Sequence, residues 1–418
     1  MKTLTIQGGQ TLSGTVRIGG AKNSAVALIP AAILASDPVT ICNVPEITDI
    51  EALSNILKHL NVSVKRASES IVIDSSKMEN KMITQELSSK LRASYYFMGA
   101  LLGKYKKVTM YFPGGCKIGE RPINLHLKGF EALGATVTIE DNVYTITADK
   151  LQGASIYLDT PSVGATINIM LAATLADGTT TIDNAAKEPE IANIATLLNQ
   201  MGAKVSGAGT SMIKIVGVKE LNGCFHEVIP DRIEAGTYLI FGALCGDHLK
   251  VDNIIPSHLE ALTSKLEEMN IPLEIGIDYI YISKSPSQRS TNIKTLGYPG
   301  FPTDLQQPFT TLLTQSSGHS KVEETIWENR FMNVPYLNQM GANIKVNGMK
   351  ATVDGKTPLH GEKVEATDLR AGASLVAAAL IADGQTTITN VEHILRGYEE
   401  IVEKLTNVGA KIEINEID

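Results

Sequence analysis

Apolar and polar positions along this chain alternate between two periods, and they do so six times. In Leu57-Lys58-His59-Leu60-Asn61-Val62-Ser63-Val64 the apolar spacing of a helix end gives way, across one residue, to the alternation of a strand. The switch recurs in Phe130-Glu131-Ala132-Leu133-Gly134-Ala135-Thr136-Val137 and in Leu198-Asn199-Gln200-Met201-Gly202-Ala203-Lys204-Val205. Three further copies turn at Asn270, Gly341 and Gly409, so successive turn residues lie 68 to 73 positions apart. Gly or Asn at each predicts a left-handed helix cap, since these residues enter that region at least cost. A fixed period of this length marks an array of supersecondary units.

A second recurring pattern is a helix of small residues followed by a turn and a Thr-rich strand. It is seen in Ala35-Ser36-Asp37-Pro38-Val39-Thr40-Ile41, Ala176-Asp177-Gly178-Thr179-Thr180-Thr181-Ile182 and Ala382-Asp383-Gly384-Gln385-Thr386-Thr387-Ile388. Each unit therefore reads strand, small-residue helix, strand, amphipathic helix, strand pair, which is an α/β repeat. A helix such as Ala371 to Ala382 has little polar face, so it is expected inside a bundle of its equivalents with the sheets outside. An open solenoid of similar units is the alternative architecture.

Composition narrows the setting. At 418 residues, 43% hydrophobic and 20% charged, the chain exceeds one ordinary domain, and two domains are expected. Four cysteines (Cys42, Cys116, Cys224, Cys245) show no CxxC or Cys/His ligand spacing, which points away from a disulfide framework or a structural metal and toward the cytoplasm. The first residues alternate like a strand, and no apolar run is long enough to span a bilayer, so neither export nor membrane insertion is expected. A net charge of −8 argues against a nucleic-acid binder. Phosphate chemistry, if present, is local.

The charged residues gather where loops run into helices, and helix N-termini are natural anion sites. Ahead of the first helix of successive units stand Lys22, Arg92, the Ser162-Val163-Gly164 turn, Arg232, Asp304 and Arg370. Ahead of the second helix stand Asp49, Arg121, Glu188, Arg330 and Arg396. One such residue alone reads as a cap or a solvated charge. Recurrence at equivalent places instead suggests a face that converges on a ligand with several phosphates, if the units close into two globules. Pro113-Gly114-Gly115-Cys116-Lys117-Ile118-Gly119-Glu120-Arg121-Pro122 reads as a mobile loop whose two cations favour the Cys116 thiolate. An inert cysteine in a hairpin turn is the plainer reading of the same residues.

Eight segments then carry a resemblance, in order and from end to end. They are Gly19-Gly20-Ala21-Lys22-Asn23-Ser24, Leu91-Arg92-Ala93-Ser94, Gly114-Gly115-Cys116 with Arg121-Pro122, and Ser162-Val163-Gly164-Ala165-Thr166 in the first half. Phe301-Pro302-Thr303-Asp304, Glu328-Asn329-Arg330-Phe331-Met332, Asp368-Leu369-Arg370 and Arg396-Gly397-Tyr398 follow in the second. With these the chain resembles the bacterial UDP-N-acetylglucosamine 1-carboxyvinyltransferases, relatives of the shikimate-pathway enolpyruvyl transferase. The resemblance implies two inside-out α/β barrel domains of three units each, residues 22–229 and residues 1–21 with 230–418, joined by a double crossover. It implies transfer of the enolpyruvyl group of phosphoenolpyruvate to the sugar 3-hydroxyl by addition and elimination of phosphate, without a metal or organic cofactor.

Carried over by position, the resemblance implies that Lys22, Arg121 and Arg396 hold phosphoenolpyruvate. It implies that Asn23, Arg92, Ser162, Val163, Asp304 and Ile326 contact the nucleotide sugar. Pro122, Ile123, Asn124, Leu125, Gly164, Arg330 and Arg370 join the substrate-binding set. Cys116 is the implied proton donor and Asp304 the implied base, with Lys22 also catalytic. Thr48 and Thr160 stand where many members have lysine, and Asn124 where an acid is common. Cysteine at position 116 places the chain with the members sensitive to fosfomycin. The competing readings are a 3-phosphoshikimate 1-carboxyvinyltransferase, which the cysteine loop argues against, and a catalytically silent nucleotide-sugar sensor on the same scaffold.

Overall fold

The computed structural model describes residues 2–114, 118–120 and 122–416. By its internal contacts the chain divides at Gly19/Gly20 and at Ile229/Pro230 into two compact units, with Ile118, Gly119 and Glu120 grouped with the unit that holds both chain ends.

In the unit starting at Gly20, three helices are almost wholly buried: α1 (Lys22–Ala32), α2 (Tyr96–Tyr105) and α3 (Val163–Ala173). α2 packs against both α1 and α3. Every residue of α3 from Gly164 to Ala173 is buried, as expected of a helix with no polar face. The other unit repeats the plan with α4 (Arg232–Cys245), α5 (Thr303–Leu313) and α6 (Leu369–Ile381), which pack pairwise on one another. Amphipathic helices flank them. In Thr48–His59 the buried Ile50, Leu53, Ile56 and Leu57 trace one stripe while Lys58 and His59 occupy the last turn.

Among the described residues sheets lie outside the helices, three to a unit, so each unit is an inside-out α/β barrel. The repeat is clearest over residues 155–216. There Thr179–Asp183 runs parallel to Ser155–Tyr157 and antiparallel to Met212–Val216, which pairs in turn with Lys204–Ser206. The chain closes each unit on itself. Phe225–Glu227, from the third repeat, pairs with Val39–Cys42 of the first. In the other unit Lys2–Gln7 joins the sheet of Gln385–Thr389 and Lys411–Glu416, and Thr15–Arg17 joins that of Leu249–Asp252. Among the described residues the second repeat is abbreviated: its sheet has three strands, and the expected first strand is reduced to a single bridge at Ile83.

All six turn residues (Asn61, Gly134, Gly202, Asn270, Gly341 and Gly409) have positive φ, between 59° and 109°. The cap predicted from Gly or Asn at each is therefore present, and closure by strand exchange excludes an open solenoid. No helix among the described residues is long and apolar enough to cross a membrane.

Candidate active site

Four of the charged residues expected ahead of the first helices lie instead in the first helical turn. Lys22 and Arg232 open their helices, and Asp304 and Arg370 are second in theirs. Shorter polar residues take the capping position instead. Ser162 accepts from Ala165 N at 3.2 Å, Asp231 from Ile233 N and Glu234 N, and Asp368 from Arg370 N and Ala371 N. With the caps supplied from outside, long side chains in the first turn are left to act elsewhere.

In the unit starting at Gly20, the Lys22 ammonium meets Asp49 at 2.8 Å, with the two side chains 14% and 4% exposed. Asn23 follows, half-buried. Arg92 opens a short turn before α2, donates from Nη1 to the Pro113 carbonyl at 3.0 Å and lies over the Phe112 ring. It thus grips the residue at which the glycine-rich loop begins. Cys116 and Arg121 lie outside the described residues. Beyond them Pro122 is exposed, Ile123 is buried, and Asn124 and Leu125 open the helix Asn124–Ala132. Ser162 and Val163 are half-buried at the start of α3, and Gly164 is buried. A Cβ at Gly164 would come within 2.7 Å of the Tyr95 hydroxyl and 2.8 Å of the His126 ring, so only glycine fits there.

That close approach exposes a residue the sequence did not single out. Asn168 accepts from Gly99 N through Oδ1, which turns its amide nitrogen toward Tyr95 O and, at 2.8 Å, toward His126 Nδ1. Nδ1 is then the acceptor, and the neutral imidazole carries its proton on Nε2. Burial, helped by the charge of Arg92, pushes the His126 pKa down to about 3 from 6.5. A neutral buried histidine stabilises the fold above pH 6.5, where both states are unprotonated. That contribution is lost as pH falls toward 3, because the unfolded chain binds the proton first. Glu234, buried in the other unit and raised to about 7 by burial, acts in the opposite sense: its cost grows as pH rises from 4.5 to 7. The unfolding midpoint is therefore expected to fall more steeply below pH 6.5 in the wild type than in His126→Asn, which keeps an acceptor for Asn168 but cannot titrate. Parallel curves would remove His126 from the acid sensitivity.

The second group lies in the unit that holds both chain ends and is built around Asp304. Its Oδ1 accepts from Arg330 Nη2 and its Oδ2 from Arg370 Nη2, the latter at 3.2 Å. The two arginine side chains are 3% and 5% exposed, whereas Asp304 is 24% exposed. Arg370 Nη1 donates to the Tyr398 hydroxyl at 3.0 Å, and Tyr398 pairs with Thr237. Burial acts to lower the Arg370 pKa, but Tyr398, Asp304 and Asp231 outweigh it and the net shift is upward. Asp368 lies 3.9 Å from Arg330, so two carboxylates balance two guanidinium groups. Asp304 is not the cap of its helix: the residue in that position is Pro302, and the hydroxyl of Thr303 is turned away to Glu324. Ile326 is 37% exposed, its backbone N–H held by Glu324. Arg396 follows the short helix Glu392–Leu395, half-buried.

The structure thus brings Asp304, Arg330 and Arg370 together, and Lys22 with Asp49. Asp368, Tyr398 and Glu324 are additional polar residues that organise the Asp304 group, and His126 packs beside Gly164 in the other unit. Asp368 and Tyr398 fall within segments that carried the resemblance. Neither the turn pattern nor the matching segments singled out His126 or Glu324.

The described arrangement has close counterparts. The EPSP synthase (3-phosphoshikimate 1-carboxyvinyltransferase) family matches residues 6–405. UDP-N-acetylglucosamine 1-carboxyvinyltransferase 2 of Bacillus cereus is 55% identical over 413 residues, covering 99% of this chain and 96% of that protein. The protein of the same name from Bacillus subtilis is 54% identical over the same length. Among solved structures, the enolpyruvyl transferase NikO from Streptomyces tendae superposes with a TM-score of 0.90 at 28% identity, covering 99% of this chain and 98% of that one. EPSP synthase from Acinetobacter baumannii superposes with a TM-score of 0.76 at 18% identity over all of both chains, a likeness of fold.

Proposed function

This chain belongs to the EPSP synthase family of enolpyruvyl transferases, and from that premise we propose that it moves the enolpyruvyl group of phosphoenolpyruvate onto the 3-hydroxyl of UDP-N-acetylglucosamine. The product commits that sugar to peptidoglycan synthesis. Identity of 55% across the whole chain to a UDP-N-acetylglucosamine enzyme favours that acceptor over shikimate 3-phosphate.

The observation that carries the reading is the Asp304 carboxylate, fixed by two buried guanidinium groups yet still partly open. A base must be held still and reachable at once, and this geometry supplies both. In the proposed addition, the 3-hydroxyl oxygen bonds to C2 of phosphoenolpyruvate as its proton passes to Asp304. The C3 methylene takes a proton from Cys116. In the elimination, C3 returns a proton to the Cys116 thiolate, the double bond re-forms, and phosphate leaves C2, taking up the proton held by Asp304. Lys22, Arg121 and Arg396 are assigned to the phosphate and carboxylate of phosphoenolpyruvate, where cations offset developing charge. Asn23, Arg92, Pro122 to Leu125, Ser162 to Gly164 and Ile326 are assigned to the nucleotide sugar, with Arg330 and Arg370 acting through Asp304.

Phosphate release tests the proposal. It is expected from phosphoenolpyruvate with UDP-N-acetylglucosamine and not with shikimate 3-phosphate. Release with shikimate 3-phosphate would transfer the chain to the other activity, and release with neither acceptor would make it a silent binder.

A further inference from the structure

Glu324 is 2% exposed and enters no ion pair among the described residues, yet its carboxylate gathers four donor groups from three separate stretches of chain. Thr295 Oγ1 donates to Oε1 at 2.9 Å. Thr303 Oγ1 lies 3.0 Å from Oε1 and 3.1 Å from Oε2. The backbone N–H groups of Ile326 and Trp327 donate to Oε1 at 2.9 and 3.2 Å. Burying a carboxylate is costly unless hydrogen bonds disperse its charge, and here they come from the protein's own framework.

The carboxylate itself is held from behind. Glu324 N donates to Met349 O at 2.8 Å, and Thr325 N donates to Thr295 Oγ1 at 2.8 Å. What it ties together is specific. Thr303 immediately precedes Asp304, and the 326–327 backbone leads into Arg330, the partner of Asp304. The same two segments are therefore joined twice, at the root by Glu324 and at the tip by the Asp304–Arg330 pair. Capping the 324–327 turn accounts for the two backbone donors but not for Thr303, which belongs to another element.

We infer that Glu324 is a positioning residue for the reaction: it fixes the first turn of α5 against the 326–330 segment and so sets where the Asp304 carboxylate points. The inference rests on the assignment of Asp304 as the base. A displacement of about 1 Å in a catalytic group costs up to about a hundredfold in rate, so even a loosened tie is measurable. Glu324→Gln keeps the shape and one acceptor oxygen, but it removes the charge that strengthens all these bonds and leaves one amide hydrogen without a partner.

The test is steady-state phosphate release by the full chain with phosphoenolpyruvate and UDP-N-acetylglucosamine, with thermal melts as a control. Glu324→Gln is expected to lower kcat on the order of tenfold while the KM for phosphoenolpyruvate stays within about twofold. On an Asp304→Asn background the same change should cost less than about twofold, because the group it positions no longer acts. Should Glu324→Gln not fold, Thr303→Val, which removes only the hydroxyl of the tie, is expected to show the same pair of results. A folded variant with wild-type kcat, or a tenfold loss that persists in full on the Asn background, overturns the inference. A wild type that releases no phosphate instead overturns the proposed function.

Discussion

Asp304→Asn is expected to lower kcat at least about a hundredfold while UDP-N-acetylglucosamine still binds. Asparagine keeps the shape of the side chain and one acceptor oxygen, but its amide nitrogen cannot accept from the second guanidinium group, and it cannot take a proton from the sugar hydroxyl. A general base contributes on the order of 10²–10⁴-fold, which sets the size of the loss. From the sequence alone the competing role is a helix N-cap, for which this substitution would be nearly silent in stability and rate. The structure changes the stability expectation. Asp304 neutralises Arg330 and Arg370, whose side chains are 3% and 5% exposed, so Asn leaves buried positive charge short of a partner. Removing one member of a fully buried ion pair costs about 3–5 kcal/mol. Asp304 is 24% exposed and Asp368 still faces Arg330, so a loss of about 1–3 kcal/mol is expected here. Rates are therefore compared well below the melting point of the variant. A folded variant keeping more than about a tenth of wild-type kcat would leave Asp304 as a structural counter-ion and nothing more.

The repeat was legible in the sequence because its signals are local. A left-handed cap needs only the identity of one residue, and Asn61, Gly134, Gly202, Asn270, Gly341 and Gly409 all meet it. The inner helices were legible because a stretch such as Leu369–Ile381 offers no polar face to water. The exact seat of the charged residues was less so. Asp231 and Asp368 look like ordinary loop acids, and only their hydrogen bonds to the next helical N–H groups show that they hold the caps and leave Arg232 and Arg370 inside the first turn.

The environment of Asp304 was not legible at all, for a physical reason. Arg330 and Arg370 lie 26 and 66 residues away in sequence and reach it from two other segments. No periodicity within one unit encodes a contact between units of the same barrel. Motif order assigned all three residues to substrate. The structure puts both guanidinium groups against the Asp304 carboxylate, so on the proposed reading the arginines act through it. Glu324 and His126 were invisible for a related reason. A polar residue reads as surface until partners from elsewhere in the chain, Asn168 for His126 and Thr295 and Thr303 for Glu324, are seen.

Cys116→Ser is expected to lose most activity, on the order of a hundredfold or more, and Cys116→Asp to keep turnover while resisting an epoxide that labels the thiol. The chemistry asks for an acid able to protonate the methylene carbon and then to recover its proton. A thiol with a pKa near about 8.5 or a carboxyl group meets that need, whereas a serine hydroxyl is far too weak an acid. The sequence places Cys116 between glycines and beside Lys117 and Arg121, the setting in which a thiolate is favoured and reachable. The three other cysteines make poor competitors for the label. Burial pushes the Cys245 thiol up to about 12 and raises that of Cys224. Burial together with Glu227 and Glu69 raises that of Cys42. An epoxide mimic of phosphoenolpyruvate should therefore mark Cys116 alone, and excess phosphoenolpyruvate with UDP-N-acetylglucosamine should protect it. Peptide mapping that finds the label on Cys42, Cys224 or Cys245, or a serine variant that turns over like the wild type, would take the proton-donor role away from Cys116.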